Sequence, residues 1–326
     1  MRVRKLVMIS IATVVLLVAA ALAAALAIAP SRPAAALESI RAPFVAQDYR
    51  DLPAAESFRA RDGQALATRF YPSAARKIAV LIHGSSSHGR SMHALARHLA
   101  RNETAQVYAL DMRGHGASGL HGDIAYLGQL EDDRADFLAF ARPGHAGLPF
   151  VLTGFSSGGG FVLRVAGGPL GDRFDAYLLL APFLRYNAPT SRNTGSSPWA
   201  SVSVPRIVGL TLLERMRIPA FQGLRVVEFA VPDTERENLT ASYSYRLNSN
   251  FGPHWDYAAD FRHTTKPMVV LAGAQDELFY ADRFASTVQP LADKVRVELV
   301  PGVNHAGLVT QPEALAAIQR VVQRLP

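Results

Sequence analysis

The stretch Pro149-Phe150-Val151-Leu152-Thr153-Gly154-Phe155-Ser156-Ser157-Gly158 decides the fold. Its first five residues favour a buried strand, and the G-x-S-x-G pattern that follows is typical of a tight turn from a strand into a helix. Glycines on both sides of the serine avoid a steric clash there, so a base can reach the hydroxyl. Only Ser156 fits, because Ser157 would need a glycine where Phe155 stands. Ser156 is our candidate nucleophile, and a glycine-rich helix cap is the alternative.

A carboxylate and a histidine follow this serine in the order that a serine nucleophile on a parallel sheet requires. The apolar run 267–272 predicts a strand that ends just before Asp276, the candidate acid. Asp276 alone could instead be a helix N-cap or an acid of a surface loop, and Glu277 or Asp282 could replace it. The next strand-like run, 295–300, leads into His305. Because every other histidine precedes the proposed acid, chain order favours His305 as the base.

Backbone N–H groups are expected to hold the oxyanion that forms when a serine attacks a carbonyl. One candidate donor is the Ser157 amide, at the start of the helix that follows the nucleophile. The other is the Ser85 amide, in the loop His83-Gly84-Ser85-Ser86-Ser87 after the apolar run 78–82. A flexible Ser/Gly connector is the alternative interpretation of this loop.

Together, several motifs resemble the α/β-hydrolase fold, and they are most similar to its monoacylglycerol lipase and lysophospholipase branch, also described as serine-aminopeptidase-like. The motifs are His83-Gly84, Asp111-Met112-Arg113-Gly114-His115-Gly116-Ala117-Ser118, the 154–158 turn, Asp276 and His305. The resemblance covers about residues 56–326 apart from a middle insert. It implies that the Asp111–Ser118 turn is structural, so His115 is a turn former. Many members carry glycine where this chain has Ser86, which leaves the shape of the loop open.

The resemblance implies a cofactor-independent hydrolase of carboxylic esters, with lipid-like substrates such as monoacylglycerols or lysophospholipids. An amidase or aminopeptidase on the same fold is one alternative. It would need an acidic residue to hold a substrate amine, and the acidic residues available in the insert are Glu214, Glu228, Asp233, Glu235 and Glu237. A catalytically silent binding protein is the second alternative, although such a protein would normally have lost a triad residue.

Strand-like and helical patterns alternate along the chain, which predicts an α/β protein with a mostly parallel sheet flanked by helices. The leading strands 56–61 and 65–70 flank Asp62-Gly63, a hairpin signal. Thr310 and Glu313 have the spacing of a capping box for a final helix over 311–324. The predicted organisation is a signal-anchor helix (1–29), a linker (30–55), the first part of the core (56–182), a cap insert (183–265) and the second part of the core (266–326).

The N-terminus predicts a membrane span or a secretion signal. Arg2, Arg4 and Lys5 precede an uncharged stretch over 6–29, which as a helix is about 36 Å long and long enough for a bilayer core of about 30 Å. The length favours an uncleaved anchor, although Ala34-Ala35-Ala36 offers a cleavage site. In both cases the basic residues stay in the cytoplasm, which predicts that the hydrolase lies on the periplasmic or extracellular side.

Composition narrows the functional classes. Four of the seven net positive charges lie in residues 1–36, so the rest of the chain is only mildly basic. The sequence contains no basic run with interleaved aromatic residues, so it does not predict a nucleic-acid partner. The absence of cysteine excludes disulfides and thiolate metal sites, and we expect no metal. Trp199, Phe221, Tyr243, Tyr245, Phe251 and Trp255 either line an apolar pocket or form the core of the insert. Oligomeric state is left open.

Overall fold

The computed structural model describes residues 2–33, 37–192 and 199–326. The possible cleavage site at 34–36 lies outside these residues. The strands are β1 Glu56–Arg59, β2 Ala65–Tyr71, β3 Ile78–Ile82, β4 Gln106–Leu110, β5 Phe150–Phe155, β6 Ala176–Leu180, β7 Ala200–Val202, β8 Arg225–Phe229, β9 Ser242–Ser244, β10 Met268–Gly273 and β11 Val295–Val300. The α-helices are α1 Arg2–Ala27, α2 Glu38–Val45, α3 His93–Arg101, α4 Gln129–Ala141, α5 Ser157–Gly167, α6 Val204–Arg215, α7 Tyr245–Asn250, α8 Tyr257–His263, α9 Arg283–Val288 and α10 Pro312–Arg324.

Eight strands form one sheet in the order β1-β2-β4-β3-β5-β6-β10-β11. Strand β2 runs antiparallel to both β1 and β4, and the remaining pairs are parallel. Strands β3, β5, β6 and β10 are buried along their whole length, as expected for a sheet covered by helices on both faces. The predicted α/β-hydrolase fold is confirmed. The carboxyl ends of β3, β5, β10 and β11 share one sheet edge, which brings together the loops that carry the candidate site residues.

The insert between β6 and β10 has its own antiparallel sheet, in the order β7-β8-β9, and helices α6, α7 and α8. Backbone hydrogen bonds attach it to the core: Thr240 donates to the Ser86 carbonyl at 2.9 Å, and Ser244 donates to Gly122 at 2.8 Å. The insert therefore packs directly on the loop that follows β3.

The region 30–55, expected to be a linker, contains helix α2. Ile40 is buried, and Phe44, four residues later, packs against the core. Residues with this spacing share one face of a helix. The many prolines and alanines around α2 concealed this short amphipathic helix in the sequence.

Two predictions about element ends have different outcomes. The hairpin is confirmed, because β1 and β2 are antiparallel and Gly63 between them has φ 84°. The capping box is wrong: Gln311 precedes the first residue of α10 and makes no side-chain cap. Thr310 instead donates its hydroxyl to the carbonyl of Ala306 at 3.0 Å, in the turn that follows the candidate base.

Helix α1 is long and apolar enough to cross a membrane, with a mean hydropathy of 2.8 over its best window, and a signal sequence has the same character. Its C-terminal end contacts α6 of the insert. The side chain of Arg206 donates to the carbonyl of Leu26 at 2.7 Å, and the hydroxyl of Ser203 donates to Ile28 at 2.6 Å. Leu22 also packs against the core.

Candidate active site

Ser156 lies at the sharp turn between β5 and α5, with φ 56° and ψ −118°. This backbone conformation is uncommon for a residue with a side chain and typical of strained functional turns. Neighbouring glycines make the turn sterically feasible. A Cβ on Gly154 would lie 2.2 Å from the carbonyl oxygen of Gly158, and one on Gly158 would lie 2.3 Å from the carbonyl oxygen of His83. The local sequence thus folds into the strand-turn-helix that exposes a serine hydroxyl.

Asp276 and His305 are hydrogen-bonded to each other, with Nδ1 of His305 and Oδ2 of Asp276 2.7 Å apart. Both side chains are almost fully buried. The second oxygen of Asp276 accepts the backbone N–H groups of Leu278 and Phe279, each at 2.8 Å. These bonds hold the carboxylate against the imidazole and fix the ring orientation.

The two alternative acids occupy different positions. Glu277 accepts the backbone N–H of His305 at 2.9 Å and does not reach the ring. Asp282 is exposed at the start of α9. Asp276 is therefore the carboxylate whose geometry suits the role of orienting His305.

Ser156 and His305 line the same cavity. The ring of Phe155, next to Ser156 in the chain, lies 4.7 Å from the imidazole centroid. Within the described ranges the Ser156 hydroxyl makes no hydrogen bond. In enzymes without substrate, the bond between nucleophile and base often forms only when substrate is bound.

The loop after β3 lies beside the start of α5, because the hydroxyls of Ser85 and Ser157 are hydrogen-bonded to each other. The backbone N–H groups of Ser85 and Ser157 have no acceptor among residues 2–33, 37–192 and 199–326, so both are available to a ligand. They are the two donors that the sequence predicted for an oxyanion.

Ser86 stands where many members of the resembled branch have glycine, and its φ of 64° lies in the left-handed region. Two interactions hold a serine in this conformation. Its backbone N–H donates to the hydroxyl of Tyr243 at 2.7 Å, and its own hydroxyl donates to the carbonyl of Thr240 at 2.7 Å. The insert thus supports the loop shape that glycine would otherwise allow, and sequence reasoning missed this role of Tyr243.

Two buried histidines support the same loop without facing the cavity. The Nε2 atom of His83 accepts the backbone N–H of Met112 at 3.1 Å, so this nitrogen is unprotonated, and the other ring nitrogen donates to the carbonyl of Gly84 at 2.7 Å. Burial lowers the pKa of His83 to about 4. Burial also lowers the pKa of His115 well below its usual value, and its ring contacts the Tyr243 hydroxyl at 2.6 Å. Both are neutral structural residues at physiological pH.

The cavity at Ser156 has a volume of about 380 Å³. It is mostly apolar, and several parts of the chain contribute to it, including the loops after β10 and β11 through Leu278 and His305. Its lining residues include Ser85, Ser86, His88 and Arg90 after β3, Phe155 and Ser156 at the elbow, Trp199, Ala230, Val231, Glu235 and Leu239 from the insert, and Ile40, Arg41, Phe44, Val45 and Tyr49 around α2. A pocket of this size and character accommodates a small apolar ligand.

Of the six aromatic residues considered for an apolar pocket, Trp199 lines the cavity. Tyr243, Tyr245 and Phe251 are buried in the core, whereas Phe221 and Trp255 are exposed. The residues around α2 were missed by sequence reasoning, and the four-residue spacing of Ile40 and Phe44 was the one signal for them.

Comparisons with known proteins identify the family and the fold. The sequence pattern of the family described as serine aminopeptidase, S33, matches residues 73–311. A monoacylglycerol lipase of Mycolicibacterium smegmatis is 32% identical over 137 residues, which cover 41% of this chain and 45% of that protein. The chain thus matches less than half the length of that relative.

Two solved structures share the fold. A soluble variant of monoglyceride lipase from Saccharomyces cerevisiae superposes with a TM-score of 0.62 at 16% identity, over 86% of this chain and 96% of that one. A monoacylglycerol lipase of Paleococcus ferrophilus gives a TM-score of 0.59 at 17% identity, over 79% and 98%. The S33 pattern spans most of the chain, and the fold and the strand-turn-helix at Ser156 are consistent with it. This chain therefore belongs to the serine aminopeptidase S33 family of the α/β-hydrolase fold.

Proposed function

We propose that this chain is a serine hydrolase that cleaves carboxylic esters with lipid-like acyl groups. One observation carries the proposal: Ser156, on its strained elbow, opens into a largely apolar cavity that is also lined by His305, whose ring is bonded to Asp276. A hydroxyl, an imidazole and a carboxylate in this arrangement are the components of nucleophilic acyl transfer.

In the proposed reaction, the Ser156 oxygen attacks the acyl carbon while His305 takes the hydroxyl proton. The carbonyl oxygen becomes an oxyanion, held by the N–H groups of Ser85 and Ser157. When the tetrahedral intermediate collapses, His305 gives its proton to the departing alcohol and leaves an acyl group on Ser156. Water activated by His305 then releases the carboxylic acid, and Asp276 supports the imidazolium in both halves.

The substrate class follows from the cavity and from the relatives. An apolar cavity of about 380 Å³ suits an acyl chain. The similarity to monoacylglycerol lipases makes monoacylglycerols or lysophospholipids our proposed substrates. Residues 183–265, which contribute Trp199, Val231 and Leu239 to the cavity, act as its cap in this proposal.

We also propose that α1 anchors the enzyme to a membrane, with the catalytic region on the non-cytoplasmic side. Its length and apolarity fit a span, and Arg2, Arg4 and Lys5 at its start favour a cytoplasmic N-terminus. If the segment is cleaved, the enzyme is secreted.

An aminopeptidase would need an unpaired carboxylate beside the nucleophile. Of the acidic residues considered for this role, Glu235 lines the cavity, but Arg41 lies 2.7 Å from its carboxylate. Glu228 is paired with Arg236 at 3.3 Å. The site thus favours a substrate with an uncharged acyl group over a substrate that carries a free amine.

The test is a panel of p-nitrophenyl esters of increasing chain length, with aminoacyl anilides as the comparison, on the wild type and on Ser156→Ala. We expect the wild type to hydrolyse the esters, and Ser156→Ala to lose at least about 10³-fold in kcat. Turnover of the anilides alone would overturn the ester proposal. Equal ester hydrolysis by both proteins would exclude Ser156 as the nucleophile.

A further inference from the structure

Helix α2 and the turn after it form one side of the cavity that contains Ser156. Ile40, Phe44 and Val45 supply apolar surface to this side, and Arg41 and Tyr49 supply polar atoms. All five residues precede the first strand of the large sheet and lie outside the S33 match at residues 73–311. This side of the cavity is therefore an addition to the part of the chain that defines the family.

Specific contacts hold α2 in place from two directions. On the side of the insert, the guanidinium of Arg41 binds Glu235 with nitrogen–oxygen distances of 2.7 and 2.9 Å. On the side of the core, Gln47 donates to the carbonyl of Ser91 at 3.3 Å and accepts the backbone N–H of Ala94 at 3.2 Å. The segment thus bridges the insert and the core instead of resting on one of them.

Helix α2 also contacts the turn Ala306–Val309, which directly follows His305. Ile40 is buried, and Phe44 is half-buried against the core. Phe44 and Ser156 line the same cavity. The aromatic ring of Phe44 therefore limits the length or width of a ligand that extends from Ser156.

Because α2 follows α1 in the chain, the contribution of α2 to the cavity does not depend on whether α1 is cleaved. The possible cleavage site at 34–36 precedes Glu38, the first residue of α2. Cleavage there would remove the membrane segment and leave the whole cavity side attached to the enzyme. A segment that only connected α1 to the core would have no need to line the cavity that contains Ser156.

We propose that α2 is a specificity element, and that Phe44 with Ile40 sets the length of the acyl chain that the enzyme accepts. This inference rests on the proposed ester hydrolysis. Arg41, paired with Glu235, positions the helix and is not itself a contact for the apolar chain.

The experiment compares Phe44→Ala, Phe44→Leu and Phe44→Trp in the full-length protein, in detergent. Phe140→Ala and Phe140→Trp are matched controls, because Phe140 is a half-exposed phenylalanine of α4 that stacks on Phe58. The readout is kcat/KM for p-nitrophenyl esters of two to sixteen carbons, expressed as the ratio of long-chain to short-chain values.

We expect Phe44→Trp to lower the ratio of the twelve-carbon to the four-carbon ester by roughly tenfold, the scale on which apolar pockets discriminate small changes in size. Phe44→Ala should move the preferred chain length upward, with Phe44→Leu intermediate. The Phe140 variants should keep the wild-type ratio. Identical chain-length profiles for folded Phe44 variants and wild type would overturn the proposal.

A second readout separates this inference from the proposed reaction. If the wild type hydrolyses none of the esters, ester hydrolysis fails, and α2 is then tested by the binding of dansyl-undecanoic acid followed by fluorescence. Weaker binding by Phe44→Trp, with unchanged binding by Phe140→Trp, would support the proposal that α2 limits the ligand in the cavity. Equal binding by all variants would refute it. Thermal unfolding of each variant shows which proteins are folded, and Phe44→Leu replaces Phe44→Ala if the latter unfolds.

Discussion

Asp276 illustrates how single atoms define the candidate site. Its carboxylate is buried and accepts three hydrogen bonds, from the His305 ring and from the N–H groups of Leu278 and Phe279. A buried carboxylate is tolerated only when its oxygens are bonded in this way. Glu277, the next residue, bonds instead to the backbone of His305. Adjacent carboxylates therefore have different roles, which composition cannot distinguish.

We predict that Asp276→Asn lowers kcat about 10³- to 10⁴-fold, because the amide removes the negative charge that supports the imidazolium and disturbs the ring tautomer. The measurement is steady-state hydrolysis of a p-nitrophenyl ester. Glu277→Gln is the control and should lose less than about tenfold, since its amide oxygen can still accept the His305 N–H. Equal losses in the two variants would contradict our choice of acid.

We expect His83 to make stability depend on pH. Its folded-state pKa of about 4 lies below the value of 6.5 expected when unfolded, so the unfolded chain binds more protons between these values. The free energy of unfolding should therefore fall as the pH falls through this window. We predict that His83 accounts for about 2 kcal/mol of the loss between pH 6.5 and 4.5.

Urea unfolding of the detergent-solubilised protein, followed by tryptophan fluorescence, measures this effect. The difference in the free energy of unfolding between pH 6.5 and 4.5 should be smaller in His83→Gln than in the wild type. The same pH dependence in both proteins would show that His83 does not remain neutral in the fold.

At the scale of elements, the loop after β3 depends on the insert for its shape. Ser86 adopts φ 64°, and the Tyr243 hydroxyl accepts its N–H while also contacting the ring of His115. Strand β9, which carries Tyr243, thereby fixes the loop that offers the Ser85 amide. The insert and the proposed oxyanion site are thus one structural unit.

We predict that Tyr243→Phe costs about 1–3 kcal/mol of stability, because a buried N–H loses its acceptor, and that kcat falls more than KM changes. Tyr177→Phe is the matched control. Tyr177 is a buried tyrosine that donates to the Gly171 carbonyl at 2.7 Å, on β6 and outside the cavity lining. It should lose stability while kcat stays the same. A Tyr243→Phe enzyme with wild-type kcat would show that the hydroxyl does not shape the oxyanion site.

At the scale of the whole molecule, the insert lies beside α1, because the start of α6 is hydrogen-bonded to the C-terminal end of α1 and the residue just after it. Val204, Val208 and Leu212 of α6 and Met216, which directly follows the helix, are exposed at four-residue intervals. If α1 spans a membrane, as we propose, an apolar stripe of this kind beside it is expected to lie in the lipid interface.

We predict that Leu212 lies in the lipid when the full-length protein is reconstituted into vesicles. The chain has no cysteine, so Leu212→Cys labelled with an environment-sensitive dye reports on this position alone. Its emission should shift to the blue and be quenched by brominated lipids. Leu299→Cys, on the outer strand β11 of the large sheet, is the control and should behave as in water. Equal signals at the two positions would contradict this orientation.

The sequence by itself determined the α/β-hydrolase fold, the strand-turn-helix at Ser156 and the order of the candidate residues. Strand and helix periodicity and glycine placement are local, so they can be recognised in a stretch of ten residues. The helix that this pattern predicts after Ser156 is observed as α5, Ser157–Gly167.

Only the tertiary structure decided which side chains surround the nucleophile. Arg41 and Glu235 are 194 positions apart, and the hydroxyl of Tyr243 reaches the Ser86 amide across 157 positions. No local pattern encodes such contacts, because they form only when the sheet brings α2, the insert and the loop after β3 to the same edge. The chemistry of the site was therefore visible in short motifs, whereas the shape of the cavity depends on packing between distant segments.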